Sequence, residues 1–99
     1  MTQTNSASGE PKAKFWTGSL YFTAGASREL PCLDILDAFE RHKIGDWGDV
    51  CAEDKAANET ALQIGGRLFS AYHDSKGVKF WIITEADRNS TTVLLPEDY

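Results

Sequence analysis

The run Val78-Lys79-Phe80-Trp81-Ile82-Ile83-Thr84 constrains this chain more than any other stretch, because it is apolar on both of its alternating faces apart from Lys79. A strand that shows water one side reads as apolar–polar alternation, whereas a strand covered on both sides reads as a continuous apolar run. These residues therefore predict a central strand with helices packed on one side. Turn signals bound the run. Asp74-Ser75-Lys76-Gly77 precedes it, and Ala86-Asp87-Arg88-Asn89 follows it. Strand patterns over residues 67–73 and 90–95 on either side make a three-stranded meander that Pro96 stops.

The amino-terminal half carries the helices. Residues 1–13 are rich in Thr, Ser, Asn and Gly and have little to bury, so a disordered tail is expected there, with one α+β domain over residues 14–99. Leu20, Tyr21, Phe22 and Thr23 mark a first strand over residues 19–23. Cys32, Leu33, Ile35, Leu36 and Phe39 then recur at three- and four-residue spacing, with Asp34, Asp37, Glu40 and Arg41 between them. This is an amphipathic helix with Ser27 as its N-cap and Pro31 in its first turn, ending near Lys43 at Gly45. A second, alanine-rich helix is expected over residues 52–64, with Ala57, Ala61 and Ile64 inward and Gly65-Gly66 as its stop. The order β-α-α-β-β-β implies two helices packed on a mainly antiparallel sheet of three to four strands.

Composition excludes several functions. Net charge is −5, and between residues 29 and 59 nine acids face three bases, a local net of −6. Nucleic-acid binding draws on clustered Lys and Arg through counterion release, so a direct DNA-binding regulator is disfavoured. A basic protein partner suits the acidic segment better. No apolar run is long enough to span a bilayer and no secretory signal pattern opens the chain, so a cytoplasmic protein without membrane contact is expected. Cys32 and Cys51 lack a CxxC or matching His spacing and are expected to be small buried residues.

Between the helices stands Gly45-Asp46-Trp47-Gly48-Asp49, with Glu53 and Asp54 just beyond. A tryptophan held between two glycines is either a structural pin or a residue presented for recognition. Asp46, Trp47, Asp49, Glu53 and Asp54 form the candidate partner-binding set. The acids do not match the ligand spacing of an EF-hand, and acids at a helix start complement its dipole, with Asp49 a possible cap. No cofactor or metal is therefore assigned. Gly45 and Gly48 are read as turn residues, as are Asp87 and Arg88. Asp87 is expected to satisfy backbone donors, and Arg88 to pair with Asp46 or Asp49. His42 borders the apolar helix face near its C-terminus, where a protonated ring is favourable, and His73 is expected on the strand surface. No nucleophile elbow or phosphate loop is present, so the chain reads as non-enzymatic.

The segment Arg41-His42-Lys43-Ile44-Gly45-Asp46-Trp47-Gly48-Asp49-Val50 resembles the signature of a family of small bacterial proteins carried on plasmids and integrated elements. Gly65-Gly66-Arg67-Leu68, Trp81-Ile82-Ile83-Thr84-Glu85-Ala86-Asp87-Arg88 and Thr91-Thr92-Val93-Leu94-Leu95-Pro96-Glu97-Asp98-Tyr99 carry the same resemblance. Members are often labelled "plasmid-related protein", sometimes type I restriction. The chain departs from the family at Ala24-Gly25-Ala26, where Thr-Pro-Gly-Ala is usual. The resemblance brings no established activity. Together with the acidic segment, it leads to the expectation of a non-enzymatic accessory or interaction protein of a mobile element that binds a protein partner through its acidic helix-turn-helix face. The alternatives are an inhibitor of host restriction or defence that imitates nucleic acid, and a small metal-dependent hydrolase built on the acids around Asp46.

Overall fold

A computed structural model describes residues 12–99; most of the expected tail, residues 1–11, lies outside the described residues. Four strands, β1 (Ser19–Phe22), β2 (Leu68–His73), β3 (Lys79–Thr84) and β4 (Ser90–Leu94), form one sheet in the order β1-β4-β3-β2. Pairing is parallel between β1 and β4 and antiparallel elsewhere. Three helices accompany it: α1 (Ala24–Glu29), α2 (Cys32–Lys43) and α3 (Ala52–Ile64). The class is α+β, with two main helices on a four-stranded mixed sheet.

The apolar run takes the interior position its pattern demands. β3 pairs on both sides, and its Phe80 and Ile82 join Tyr72 and Val93 on the face that α1 and α2 cover with Ala26, Leu30, Ile35 and Ala38. Burying each large apolar side chain of this cluster contributes about 1.5–3 kcal/mol, so it is the main thermodynamic reason for the sheet–helix layer. Trp81 and Ile83 point the other way. They share that face with Phe69 and Leu94, and Tyr99 meets Trp81 edge-on at 5.8 Å beyond a 3-10 turn, Pro96–Asp98.

The expected first helix is in fact two. Thr23, not Ser27, opens α1 by accepting the Ala26 N–H on its hydroxyl at 3.1 Å. Leu30 and Pro31 are extended, because the residue before a proline is pushed out of the helical region. Pro31 is then the N-cap of α2, and its carbonyl accepts the N–H groups of Asp34 and Ile35.

α3 has the expected span, but its inward residues are Asn58 and Ala61, while Ala57 and Ile64 are exposed. The reason is its seat. α3 meets the margin of β2 rather than a sheet face, and the Asn58 amide donates to Phe69 O at 2.7 Å and accepts Phe69 N–H at 3.0 Å. Both cysteines are exposed, contrary to expectation. Cys32 begins α2, and Cys51 caps α3 by accepting Asp54 N–H on Sγ at 3.5 Å.

Candidate functional site

The corner between α2 and α3 is built from its glycines outward. α2 ends at Lys43 with Ile44 as its C-cap, and Gly45 follows at φ +83°. Gly48, at φ +74°, sits against β2, where an added Cβ would lie 2.0 Å from Ala71 O and 2.7 Å from the Tyr72 ring. Only glycine allows this approach. It lets Asp49 N–H donate to Ala71 O at 2.7 Å and Ala71 N–H donate to Trp47 O at 3.1 Å, so the corner bridges the outer edge of β2.

Trp47 is the pin and not the presented residue. It is 2% exposed, stacks on Phe15 at 6.2 Å and donates from Nε1 to Glu59 at 2.8 Å. It therefore leaves the set of side chains that a partner can touch. His42 lies beside it, edge-on at 5.7 Å. The ring is fully buried between two hydroxyls, Ser70 Oγ at 2.5 Å and Thr84 Oγ1 at 2.9 Å, and the chain runs on through Thr91 to Thr17 O. Burial pushes its pKa down to about 3, so the ring is neutral, against the expected imidazolium. The two hydroxyls satisfy the one donor and one acceptor nitrogen of the neutral ring.

The acids of the corner are held at its surface. Asp46 accepts from Arg41 Nε at 2.8 Å and Nη2 at 3.2 Å, and this pairing with the guanidinium holds its carboxyl below the usual range. The same guanidinium lies 4.9 Å over the Tyr72 ring, and Tyr72 donates its hydroxyl to Asp46 O at 2.7 Å. Burial pushes the Tyr72 phenol up, keeping it a neutral donor. Asp49 pairs with His73 at 2.8 Å instead of capping α3, which Cys51 does. Glu53 and Asp54 are exposed in the first turn of α3.

Arg88 is not the partner of Asp46 or Asp49. Its guanidinium donates to the carbonyls of Gly66 at 2.6 Å, Ala61 at 3.1 Å and Glu85 at 3.0 Å, binding the end of α3 to the β3–β4 turn. Asp87 shapes that turn by accepting Asn89 N–H at 2.9 Å.

Beside the corner lies a groove of about 430 Å³ between α2 and the β2–β3 loop, lined by Asp34, Asp37, Ala38, Arg41, Tyr72, His73, Asp74 and Ser75. Asp34 accepts Ser75 N–H at 2.9 Å and the Ser75 hydroxyl at 2.8 Å, and these bonds lower its pKa. Asp74 accepts Lys76 and Val78 N–H on one oxygen, both at 2.8 Å. Through Arg41 and His73, Asp46 and Asp49 stand at the rim. The five expected residues are thus dispersed: Asp46 and Asp49 at this groove, Trp47 inside, Glu53 exposed on the first turn of α3, and Asp54 on a separate aromatic-lined cavity of about 320 Å³ with Arg67, Phe69, Trp81, Ile83 and Tyr99.

Asp34, Asp37 and Asp74 belong to the groove but not to the expected set. The i, i+3 spacing of Asp34 and Asp37 on α2 signals the first two. Asp74 reaches them only through the hairpin, which no local pattern reveals. Among the described residues, no group of three or more His, Cys, Asp or Glu is arranged to hold a metal ion. Comparison with protein-family models, curated proteins and solved structures finds no match to this chain.

Proposed function

We propose that this chain is a non-catalytic accessory protein of a bacterial mobile element, and that it binds a basic segment of a protein partner in the groove beside α2. One observation carries the reading. Asp34, Asp37 and Asp74 line a single groove and Asp46 and Asp49 edge it; among the described lining residues the one fixed cation, Arg41, is already paired with Asp46, while His73 bonds Asp49 and Lys76 lies near Asp34 on the hairpin loop. The heads of Lys or Arg side chains can meet the carboxylates of Asp34, Asp37 and Asp49, which reach solvent, while Ala38, Tyr72 and Asp74 form the buried floor of the groove. The rigid seat of the corner on β2 favours binding because little of it must be ordered on contact. The mobile-element context rests on the resemblance of the corner and the C-terminal motifs to that family.

The test is a pull-down from a bacterial host comparing the wild type with an Asp37→Lys plus Asp49→Lys variant. Among the described residues, neither carboxylate bonds to the backbone, so the fold is expected to persist. Loss of the bound partner, with binding that weakens as salt rises, is the expected result. Identical partner sets would count against this groove.

A further inference from the structure

β1 ends the sheet on the side away from β2, and among the described residues its outer edge is open. Ser19 N–H donates to Asn89 O and Thr23 N–H to Val93 O, both at 3.0 Å. In a parallel ladder successive residues serve opposite neighbours, so Ser19, Tyr21 and Thr23 bond β4 while the N–H and C=O groups of Leu20 and Phe22 point outward. Among the described residues, nothing pairs with them. Nor is the edge guarded. Ser19–Phe22 contains no charge and no proline, the usual devices against edge pairing.

The surroundings of this edge are apolar. Tyr21, Phe22 and Leu36 are 55%, 46% and 49% exposed, and a groove of about 160 Å³ between α1 and α2 is walled by Phe22, Leu30, Cys32, Ile35 and Leu36. α2 sorts its residues to match. Asp34 and Asp37 flank the acidic groove at the β2 side, whereas Cys32 and Leu36 face β1. The near charges on α1, Arg28 and Glu29, have opposite signs.

We propose that the chain dimerises through β1, two copies pairing antiparallel about a twofold axis at Tyr21 to continue the sheet to eight strands. The outward groups set the register. Leu20 of one copy lies opposite Phe22 of the other, and the two such pairs exchange four hydrogen bonds, with Tyr21 facing Tyr21 as the close, non-bonded pair. A twofold keeps each sheet face continuous, so the Leu20–Phe22 pairs extend the helix-side core next to Leu36.

A second copy suits this edge for two reasons. An antiparallel edge is complementary to itself under a twofold, so no other sequence is required. The margin is also uncharged in a chain of net −5, so self-association here brings no acidic groove against another. Tyr21, Phe22 and Leu36 offer on the order of 300 Å² of apolar surface per copy, judged from aromatic side-chain areas. Over the two copies that is about 600 Å², below the usual size of stable interfaces, so the dimer is weak and concentration-dependent. It leaves the acidic groove open, and the two readings stand or fall separately.

Sedimentation velocity of the full chain is the test. The expected result is a shift from monomer to dimer as concentration rises through about 100 µM. Phe22→Lys should weaken association at least about tenfold by placing a charge opposite Leu20 in each of the two pairs, with the two like charges diagonal to one another across the twofold. In a Cys32→Ser, Cys51→Ser background, Tyr21→Cys should form a disulfide-linked dimer on mild oxidation, because the Cβ atoms of a close antiparallel pair approach to about 4.5–5.5 Å. Ile64→Cys, exposed on α3, is the control. A chain that stays monomeric overturns the proposal. So does a dimer indifferent to Phe22→Lys in which Tyr21→Cys links no faster than Ile64→Cys.

Discussion

At one margin of the sheet, β2 meets a bridge from Gly48 and the side-chain amide of Asn58; at the other, β1 leaves the backbone groups of Leu20 and Phe22 facing outward. The first margin is closed without a fifth strand. One glycine lets the corner backbone reach Ala71, and one carboxamide imitates a peptide group opposite Phe69. Closing an edge this way has a consequence for the candidate site: the corner that shields β2 is the same one that carries Asp46 and Asp49. Their rigidity follows from the shielding. Among the described residues the β1 margin has no such cover.

Breaking the closed margin should be costly. Gly48→Ala sets a Cβ against Ala71 O at 2.0 Å in a left-handed conformation, and should lose at least about 3 kcal/mol, read as a fall in the urea midpoint. An unchanged midpoint would mean that the bridge contributes little to closing the edge.

Acid is a second way to break that end. His42 is depressed from 6.5 to about 3 in the folded chain, so below pH 6.5 the unfolded chain takes up a proton that the folded one refuses. Stability from this group is therefore full above pH 6.5 and lost as pH falls toward 3. The slope is about 1.4 kcal/mol per pH unit, and over most of that window the loss is on the order of 3 kcal/mol. Urea melts at pH 7 and pH 5 check it. A His42→Gln variant, though weaker at pH 7, should flatten the slope.

Asn58→Ala sharpens the comparison further. It leaves the Phe69 N–H and C=O unpaired beneath α3 and should cost about 2 kcal/mol in chemical denaturation, with faster amide exchange at Phe69. The smallest effect belongs to the open margin. Phe22→Lys should cost the monomer only about 1 kcal/mol, because the side chain is half exposed, the lysine stem keeps part of its apolar contact, and among the described residues its backbone groups have no partner to lose.

Much of this fold was legible where signals are local. α3 runs from Ala52 to Ile64 because Gly65 and Gly66 stop it, and the meander strands lie between clear turn residues. What stayed hidden depends on distant partners. Nothing near His42 announces the hydroxyls of Ser70 and Thr84, 28 and 42 residues away, that make a buried neutral ring tolerable. The break at Leu30 was obscured because the apolar spacing that began at Cys32 invited a longer helix than Pro31 allows. The acids of the candidate site were visible as a segment, but their grouping was not. A hairpin brings Asp74 to Asp34 and Asp37, while the path of α3 carries Asp54 to a different surface.

The parallel pairing of β1 with β4 also bears on how the chain is made. Leu20 is in register with Thr91, so the first strand to leave the ribosome waits about seventy residues for its neighbour, while β2, β3 and β4 can zip together as they emerge. During that delay both edges of Ser19–Phe22 are unpaired. Pausing late in translation therefore lengthens the period in which this strand has no partner within its own chain.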